Sequence, residues 1–197
     1  MKKSSILILI IICLVGCKKG SNETTITGEI KGLGTDTLYL YGMDELYDRI
    51  DTIYVENDKF SYTTSVDTIT SAYLLLKNRI EYPVFLDKGN KIKIKGDTIN
   101  LNFLTISGNI YNEEFTDFQK ALEDPADPSE KAGEETVDKR ITVEKANTAE
   151  EMAEEFILQH HSSYVSLYLL DKYFVQKETP DFSKIKKLVE VMTGVLQ

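Results

Sequence analysis

The sequence predicts an α+β protein in which an N-terminal antiparallel β-sandwich or partly open barrel precedes a small helical bundle. Between Thr24 and Ser107, short segments rich in β-branched and aromatic residues alternate with turn residues, without a helical period. From Gly108 onward, apolar residues recur at the three- and four-residue spacing of amphipathic helices. Short consecutive strands with hairpin-length links favour antiparallel pairing. We therefore expect a sheet domain over residues 24–107 and a helical region over residues 108–197.

The first sixteen residues have the pattern of a signal peptide. Lys2 and Lys3 precede an apolar stretch over residues 6–12 that is too short for a stable membrane span. The following Leu14-Val15-Gly16-Cys17 resembles the bacterial lipobox. The resemblance implies cleavage between Gly16 and Cys17 and a diacylglyceryl thioether on Cys17. An ordinary secretory peptide with an accidental cysteine is the alternative.

Residues 17–23 read as a short polar tether between the lipid and the first strand. Lys18 and Lys19 follow the cysteine directly, and aspartate is absent from these first mature residues. This pattern favours a lipid anchor in the outer membrane, facing the periplasm. The expected partners are the membrane, through lipidated Cys17, and envelope proteins.

Eight candidate strands follow one another in the sheet region. Asn57-Asp58 is a two-residue hairpin signal, because both side chains tolerate positive φ. Pro83 restricts its strand to an edge or a bulge, and the alternating lysines from Lys91 to Lys95 are typical of a protected edge strand. The candidate strands cover residues 25–30, 37–41, 49–55, 59–64, 73–76, 82–86, 91–95 and 98–106, the last with Ile99, Leu101 and Phe103 on one face.

Helical spacing begins after Asn109, a candidate N-cap. The stripes of the first and last helices consist of Tyr111, Phe115, Phe118 and Leu122, and of Phe182, Ile185, Leu188 or Val189, and Met192. Between them, helix resumes by Val137, and Thr148-x-x-Glu151 has the pattern of a capping box. Residues 164–174, which begin after Ser162 or Ser163, are apolar on nearly every side. We therefore expect that helix to be the buried centre of the bundle.

Composition excludes several classes of function. The formal net charge of −9 argues against a nucleic-acid partner. Of the two cysteines, Cys13 would leave with the signal peptide and Cys17 would be acylated, so the mature domain keeps no free thiol. We therefore expect no disulfide and no thiol chemistry, and no motif in the chain indicates a cofactor.

The acidic segment from Glu123 to Glu155 carries twelve acids and four bases. A solvated helix face and loop explain this composition. A cation-binding patch is the alternative, but the segment lacks the Asp-x-Asp-x-Asp-Gly loop of calcium sites.

Histidine and serine give no clear catalytic or metal site. His160 and His161 are adjacent, so on a helix they point about 100° apart and cannot bind one metal as an i, i+4 pair does. Ser162, Ser163 and Ser166 lie nearby, but the Gly-x-Ser-x-Gly elbow is absent, and the first two suit N-capping. We therefore expect neither a catalytic nor a metal site.

Seven tyrosines lie in the sheet region, and exposed rings there could form a carbohydrate platform. Ordinary strand propensity also explains them, and it is the interpretation that we favour. They are Tyr39, Tyr41, Tyr47, Tyr54, Tyr62, Tyr73 and Tyr82.

Two parts of the chain resemble a known family. Residues 26–33, 38–40, 50–52 and 58–60 are similar to an N-terminal domain of unknown function in Gram-negative lipoproteins whose C-terminal half is thioredoxin-like, of the peroxiredoxin type. Residues 156–170 resemble the helical spacer between those halves, with His161 where a proline is common. The family's redox chemistry resides in a Cys-x-x-Cys motif that this chain lacks, so no catalytic role carries over.

Three hypotheses about function follow. The first is a lipid-anchored cell-envelope module without catalytic activity, serving as an interaction or spacer domain. The second is the N-terminal fragment of a periplasmic thiol-disulfide oxidoreductase whose redox domain is missing. The third is a glycan-binding β-domain.

Overall fold

A computed structural model describes residues 22–42, 45–76, 79–123 and 138–192. Side chains are described throughout these ranges except at residues 45 and 138–147. The expected signal peptide, the Gly16–Cys17 cleavage site and residues 17–21 of the tether lie outside the described residues. Among the helices described, none is both long and apolar enough to cross a membrane.

Eight strands form two four-stranded sheets, and four helices follow them, so the predicted α+β class is confirmed. The first sheet has the order β4-β1-β7-β8 and the second the order β3-β2-β5-β6. The strands are β1 Glu23–Lys31, β2 Asp36–Gly42, β3 Ile50–Val55, β4 Lys59–Ser65, β5 Thr70–Leu75, β6 Glu81–Leu86, β7 Lys91–Asp97 and β8 Thr105–Ser107.

Strand alternation gives the two sheets a common interior. In β1, Ile26 and Ile30 are fully buried, while Thr27 and Glu29, which point the other way, are exposed. The inner residues of both sheets belong to one hydrophobic cluster, which makes the pair a sandwich. Removal of these apolar side chains from water is the main contribution to the stability of this domain.

The turn at Asn57-Asp58 is confirmed, and it joins the two sheets. Both residues have positive φ, 50° and 69°. The Asp58 carboxylate accepts a hydrogen bond from the Gly34 N–H at 2.6 Å. Beyond a single bridge between Glu56 and Lys59, β3 and β4 separate into different sheets. The Asn57-Asp58 pair therefore predicts the tight turn correctly. Because the strands on either side belong to different sheets, the turn lies at a corner of the sandwich.

The prediction that the lysine strand lies at an edge is wrong. β7 lies between β1 and β8 and pairs with β1 in parallel, so the first sheet is not purely antiparallel. Its lysines alternate with isoleucines because one face of the strand is exposed and the other is buried in the core. An internal strand with one exposed face shows this pattern as well as an edge strand does. Pro83 fits the other prediction, because β6 is the last strand of the second sheet.

The predicted strand over residues 98–106 is largely wrong. Its first half forms turns, with Asn100 N–H bonded to the Asp97 carbonyl at 3.1 Å and Phe103 N–H to the Asn100 carbonyl at 3.3 Å. Ile99, expected on the buried face, is 92 % exposed. Asp and Asn bond to nearby backbone and so favour turns over a ladder, which leaves only Thr105–Ser107 as β8.

The helices are α1 Ile110–Glu123, α2 Asp138–Gln159, α3 Tyr164–Leu170 and α4 Phe182–Val191, and a π-helical turn over Asp171–Val175 continues α3. The capping predictions hold for Asn109, which accepts from the Asn112 N–H at 2.9 Å, and for Ser163, which accepts from the Val165 N–H at 3.1 Å. Thr148 starts no helix, because α2 runs through it without a break.

The helix over residues 164–174 is buried at Val165, Leu169, Leu170 and Phe174, as its apolar pattern predicts. It lies against α1 and α2. Leu188 of α4 and Met192, the residue that follows the helix, are buried, but Phe182 is 77 % exposed. The expected apolar stripe of α4 therefore starts one turn later, at Ile185, which packs against the core.

Helix α1 bonds to a free edge of each sheet. The Asn112 amide bonds to both backbone groups of Phe85 on β6, accepting from its N–H at 2.9 Å and donating to its carbonyl at 2.8 Å. The Thr116 hydroxyl does the same for Ile106 on β8, at 3.0 and 2.9 Å. Both side chains are buried. Because each replaces a missing neighbouring strand, α1 closes the sandwich between β6 and β8.

An aromatic cluster extends this contact into the bundle. Phe115 of α1 lies edge-on to Tyr82 and Phe85 of β6, with ring centroids 5.9 and 6.2 Å apart. It also lies edge-on to Tyr168 of α3 at 5.2 Å, and Phe118 contacts Phe156 of α2 at 5.7 Å. The domain boundary expected at residues 107/108 stays a prediction, although side chains pack across it.

Replacing Thr116 with valine tests the edge closure. Thr116→Val keeps the side-chain shape but leaves the N–H and the carbonyl of Ile106 buried without a partner. We expect the free energy of unfolding to fall by about 2–4 kcal/mol, measured by urea denaturation. Thr105→Val is the matched control on the same edge strand, since Thr105 is exposed. An equal effect of both substitutions would show that the gain in hydropathy, and not the loss of the paired hydrogen bonds, determines the result.

Candidate functional site

The outer surface of the first sheet carries a row of lysines. Strand alternation turns Lys91, Lys93 and Lys95 of β7 outward, and Lys59 of β4 lies on the same surface. All four are exposed. We call these four residues the lysine face. The other outward residues of β1 and β4 are Glu23, Thr25, Thr27, Glu29, Lys31, Ser61, Thr63 and Ser65.

The register places each lysine beside a known neighbour. Lys91 lies opposite Thr25, Lys93 opposite Thr27, and Lys95 opposite Glu29. Glu29 also lies opposite Lys59. Neighbouring strands are about 4.8 Å apart and alternate residues about 6.6 Å apart, so the lysines form a compact array.

The lysine face is not neutralised by ion pairs within the described ranges. There, none of its four ammonium groups has a carboxylate oxygen within 4.0 Å. Elsewhere the same chain pairs its lysines, as at Lys184 and Glu154, 2.7 Å apart. The positive charge of the face is therefore available to an external anion.

A groove of about 470 Å³ opens at one end of the lysine face. Lys31 and Lys95 lie on it beside Glu29 and Asp97, and Phe103 contributes an apolar surface. With charges of both signs, this groove would suit a zwitterionic group better than a simple anion.

The chain enters the first sheet beside the lysine face. β1 begins at Glu23, and because β7 is parallel to it, both strands start at the same end of the sheet. The Thr25 N–H donates to the Asn90 carbonyl just before Lys91, at 3.0 Å. Lys91 is therefore the lysine of β7 nearest to the start of β1.

The tyrosines of the sheet region do not form one platform. Tyr54 and Tyr39 of the second sheet are 72 % and 41 % exposed, whereas Tyr47 and Tyr82 are buried. Tyr41 stacks on Tyr73 at 5.9 Å, and the ring of Tyr73 lies 6.3 Å from Tyr168 of α3. Part of the alternative carbohydrate surface is thus occupied by contacts within the protein.

Glu114 lies between a serine and a histidine at the junction of α1, α2 and α3. The Ser163 hydroxyl donates to Glu114 Oε2 at 2.5 Å, and His160 Nδ1 lies 3.4 Å from Oε1. His160 also stacks on Phe156, with ring centroids 4.2 Å apart. In a catalytic triad the histidine lies between serine and acid. Here the carboxylate is in the middle, so His160 cannot activate Ser163.

His161 and Ser162 are exposed, and His161 Nδ1 lies 3.1 Å from the Ser162 hydroxyl. Ser166 donates to the His160 carbonyl at 2.8 Å, which stabilises the turn before α3. Together with the N-cap at Ser163, these contacts give the segment the structural role that its serines predict.

The described acids of the acidic segment stabilise helix packing. Lys177 contacts Glu150 at 2.5 Å, and Lys184 of α4 contacts Glu154 at 2.7 Å. The hydrogen bond from Lys177 lowers the pKa of Glu150, and the bond to Glu154 raises the pKa of Lys184. Within the described parts of the chain, no three His, Cys, Asp or Glu side chains are grouped to hold a metal ion. Residues 124–137 of the segment lie outside them.

A comparison with family models identifies the sheet region. A domain of unknown function, DUF4369, is found at residues 24–115. No curated protein and no solved structure matches the chain significantly. The DUF4369 domain includes the eight strands, apart from Glu23 of β1, and the first part of α1 through Phe115, so it contains Asn112 and the lysine face.

Within the DUF4369 domain, a polar cluster links the two sheets. The buried Tyr47 donates to Asp51 Oδ2 at 2.5 Å, and the Arg49 Nε–H donates to the same oxygen at 3.1 Å. Arg49 also donates to Thr64 and, at 3.0 Å, to the Ser65 carbonyl, both on β4 of the other sheet. Sequence reasoning missed this cluster, because the alternation of Tyr47, Arg49 and Asp51 does not reveal that Thr64 and Ser65 of the other sheet complete it.

Burial, and next the hydrogen bond to Asp51, raise the pKa of Tyr47 to about 12. The folded state thus holds the phenol proton more tightly than the unfolded chain, in which the pKa is about 10. This contribution to stability is complete below pH 10 and is lost as the pH rises to about 12.

Tyr47→Phe tests this linkage. The variant should unfold more easily at neutral pH because the bond to Asp51 is lost. Its free energy of unfolding should then fall less steeply than that of the wild type between pH 10 and 12. Urea denaturation across this range measures both effects. Tyr54→Phe, at a site 72 % exposed, is the control and should change the neutral-pH value by less than about 0.5 kcal/mol. An unchanged slope in Tyr47→Phe would contradict the assignment.

Proposed function

We propose that this protein is a lipid-anchored cell-envelope module without catalytic activity, serving as an interaction or spacer domain. The observation that carries the proposal is the order of Leu14-Val15-Gly16-Cys17 directly after a short apolar stretch. An acylated Cys17 would hold the chain on a membrane, because each buried methylene contributes about 0.8 kcal/mol and two or more chains give stable attachment. Lys18 and Lys19 support an outer-membrane position facing the periplasm.

The position of β1 supports a domain held close to the bilayer. Only residues 18–22 separate Cys17 from the start of β1 at Glu23. Fully extended, the link from residue 17 to residue 23 spans about 20 Å. The DUF4369 domain would therefore sit directly on the surface to which the lipid attaches.

The contacts of the polar side chains support a structural role. Ser163 caps α3 and binds Glu114, and Glu150 and Glu154 pair with lysines. Asn112 and Thr116 bond to strand edges. The hydrogen bonds and ion pairs that these side chains form within the fold explain why they are present, so none of them requires a substrate as a partner.

The second candidate is the N-terminal part of a thiol-disulfide oxidoreductase system. The DUF4369 domain at residues 24–115, together with the resemblance to thioredoxin-associated lipoproteins, favours it. The downstream reading frame tests it: an in-frame Cys-x-x-Cys within roughly the next hundred codons, about one domain's length, would support this candidate over the first.

Glycan binding stays a third candidate, supported by the exposed Tyr39 and Tyr54. Ring stacking on a sugar would need at least one of them. A glycan array probed with the wild type and with a Tyr39→Ala/Tyr54→Ala variant addresses it.

Cys17→Ser should abolish acylation and leave an uncleaved or soluble chain. Metabolic labelling with a palmitate analogue, followed by membrane sedimentation, measures both properties. Cys13→Ser is the matched control and should still be labelled, because Cys13 lies in the segment to be removed. Label and membrane attachment that persist in Cys17→Ser would refute the anchor.

The mature protein should not reduce insulin disulfides. The attacking species in that reaction is a thiolate, and an acylated Cys17 leaves the mature chain without a free thiol. Turbidity of reduced insulin measures the rate. A rate above the buffer control that persists in Cys17→Ser would contradict a non-catalytic function.

A further inference from the structure

We propose that the lysine face docks the DUF4369 domain onto an anionic lipid surface beside its own anchor. The inference rests on the proposed acylation of Cys17 and adds a second, electrostatic contact to it. It gives the domain a defined orientation, with the outer surface of the first sheet against the membrane.

The charge distribution of the chain favours contact through the lysine face. The chain has a formal net charge of −9, so an anionic membrane repels the molecule as a whole. The lysine face is an exception, because within the described ranges its four ammonium groups lack ion-pair partners and outnumber the outward acids beside them, which are Glu29, Glu23 at the start of β1 and Asp97 at the end of β7. A lysine near an anionic surface strengthens binding by about fivefold.

The short tether between the proposed anchor and β1 keeps the lysine face close to the membrane. Residues 18–22 can span about 20 Å at most between Cys17 and β1. Lys91 lies opposite Thr25, two residues into β1, and Lys95 lies about 13 Å further along β7. All the lysines of β7 are thus within reach of the membrane that holds the lipid.

The tether also decides between a membrane and a free polyanion. Four lysines on a chain this acidic give weak attraction to any ligand that must first be captured from solution. An acylated Cys17 converts the membrane contact into an intramolecular event with a high effective concentration. Weak charge attraction then suffices as the second signal beside a lipid chain. An acidic polysaccharide or polyphosphate gains nothing from the tether.

The remaining surfaces are compatible with this orientation. Helix α1 binds the edges at β6 and β8, and Tyr168 of α3 contacts Phe85 and Tyr73 of the second sheet. The acids Glu150 and Glu154 belong to this helical part. With the lysine face on the lipid, the outer surface of the second sheet faces away from it.

Amine labelling of the lipidated protein in vesicles tests the proposal. The protein is reconstituted into phosphatidylcholine vesicles and into vesicles that also contain phosphatidylglycerol. Acetylation of each lysine is then followed by mass spectrometry. We expect Lys91, Lys93 and Lys95 to react at least about fivefold more slowly on the anionic vesicles. Lys186 and Lys187 of α4, exposed and distant in sequence, should react equally on both. Molar salt, with a Debye length of about 3 Å, should remove the difference.

A pair of charge reversals separates a specific face from net charge. Lys93→Glu/Lys95→Glu should abolish the slower labelling of Lys91, whereas Lys186→Glu/Lys187→Glu, with the same change in net charge, should preserve it. Equal labelling of Lys91 on the two kinds of vesicle in the unsubstituted protein would overturn the proposal. So would slower labelling that persists in Lys93→Glu/Lys95→Glu. Because the comparison of vesicles with the unsubstituted protein can overturn the proposal by itself, a variant that fails to fold does not affect the test.

Two controls separate this inference from the proposed function. Flotation with pure phosphatidylcholine vesicles, together with the mass of the Cys17 peptide, reports the anchor alone, so their failure refutes acylation. An anchored protein that shows no lipid-dependent labelling refutes only the docking. Soluble polyphosphate added to the phosphatidylcholine vesicles is the last arm. Slower labelling there, without an effect of phosphatidylglycerol, would identify a free polyanion as the ligand and overturn membrane docking.

Discussion

The fold depends on the way in which α1 completes two sheets that would otherwise end in open edges. A strand edge presents backbone N–H and carbonyl groups whose burial without partners costs free energy. Asn112 and Thr116 each supply a donor and an acceptor to one edge residue, Phe85 and Ile106. Because both bonded pairs are buried, the helix is fixed in position and in rotation. The packing of Phe115 against Tyr168, and hence the place of the bundle, follows from this arrangement.

The backbone between β8 and α1 supports the same arrangement. Gly108 adopts a φ of +111°, a region that favours glycine. A Cβ there would lie 2.2 Å from the Lys91 carbonyl oxygen. The absence of a side chain lets the chain turn tightly against β7, so that Asn109 can cap α1 and also donate to the Phe85 carbonyl at 2.9 Å. One short link therefore serves the strand, the helix and the neighbouring sheet.

Local patterns in the sequence predict the elements well and their partners poorly. Alternation locates most strands, and the short polar side chains at Asn109 and Ser163 locate helix starts, because those effects act within a few residues. The pairing of β1 with β7 is a choice among distant segments and leaves no local pattern, which is why β7 is mistaken for an edge. Residues 98–104 mislead for another reason: their apolar alternation is real, but the turn bonds of Asp97 and Asn100 prevail.

The candidate site likewise combines local patterns that the sequence shows with contacts between distant segments that it does not show. The resemblance of residues 14–17 to a lipobox rests on contiguous residues and can be read directly, and the alternating lysines of β7 are visible in the sequence as a pattern. The array that these lysines form with Lys59 is not visible in the sequence, because Lys59 lies near them only through the order of strands in the first sheet. The Tyr47–Arg49–Asp51 cluster depends on β3 and β4 belonging to different sheets, which only the three-dimensional structure reveals.

The parallel pairing of β1 and β7 has a consequence for the order in which the domain folds. Thr27 of β1 bonds to the Ile92 carbonyl, 65 residues further along the chain. Contacts so distant in sequence form slowly, because a long loop must close before they contribute. If the chain is exported as proposed, β1 would enter the periplasm first and would stay unpaired on one side until β7 had crossed the membrane. Its inward apolar residues would be exposed in that interval, during which an unpaired strand edge can pair with other copies of the chain.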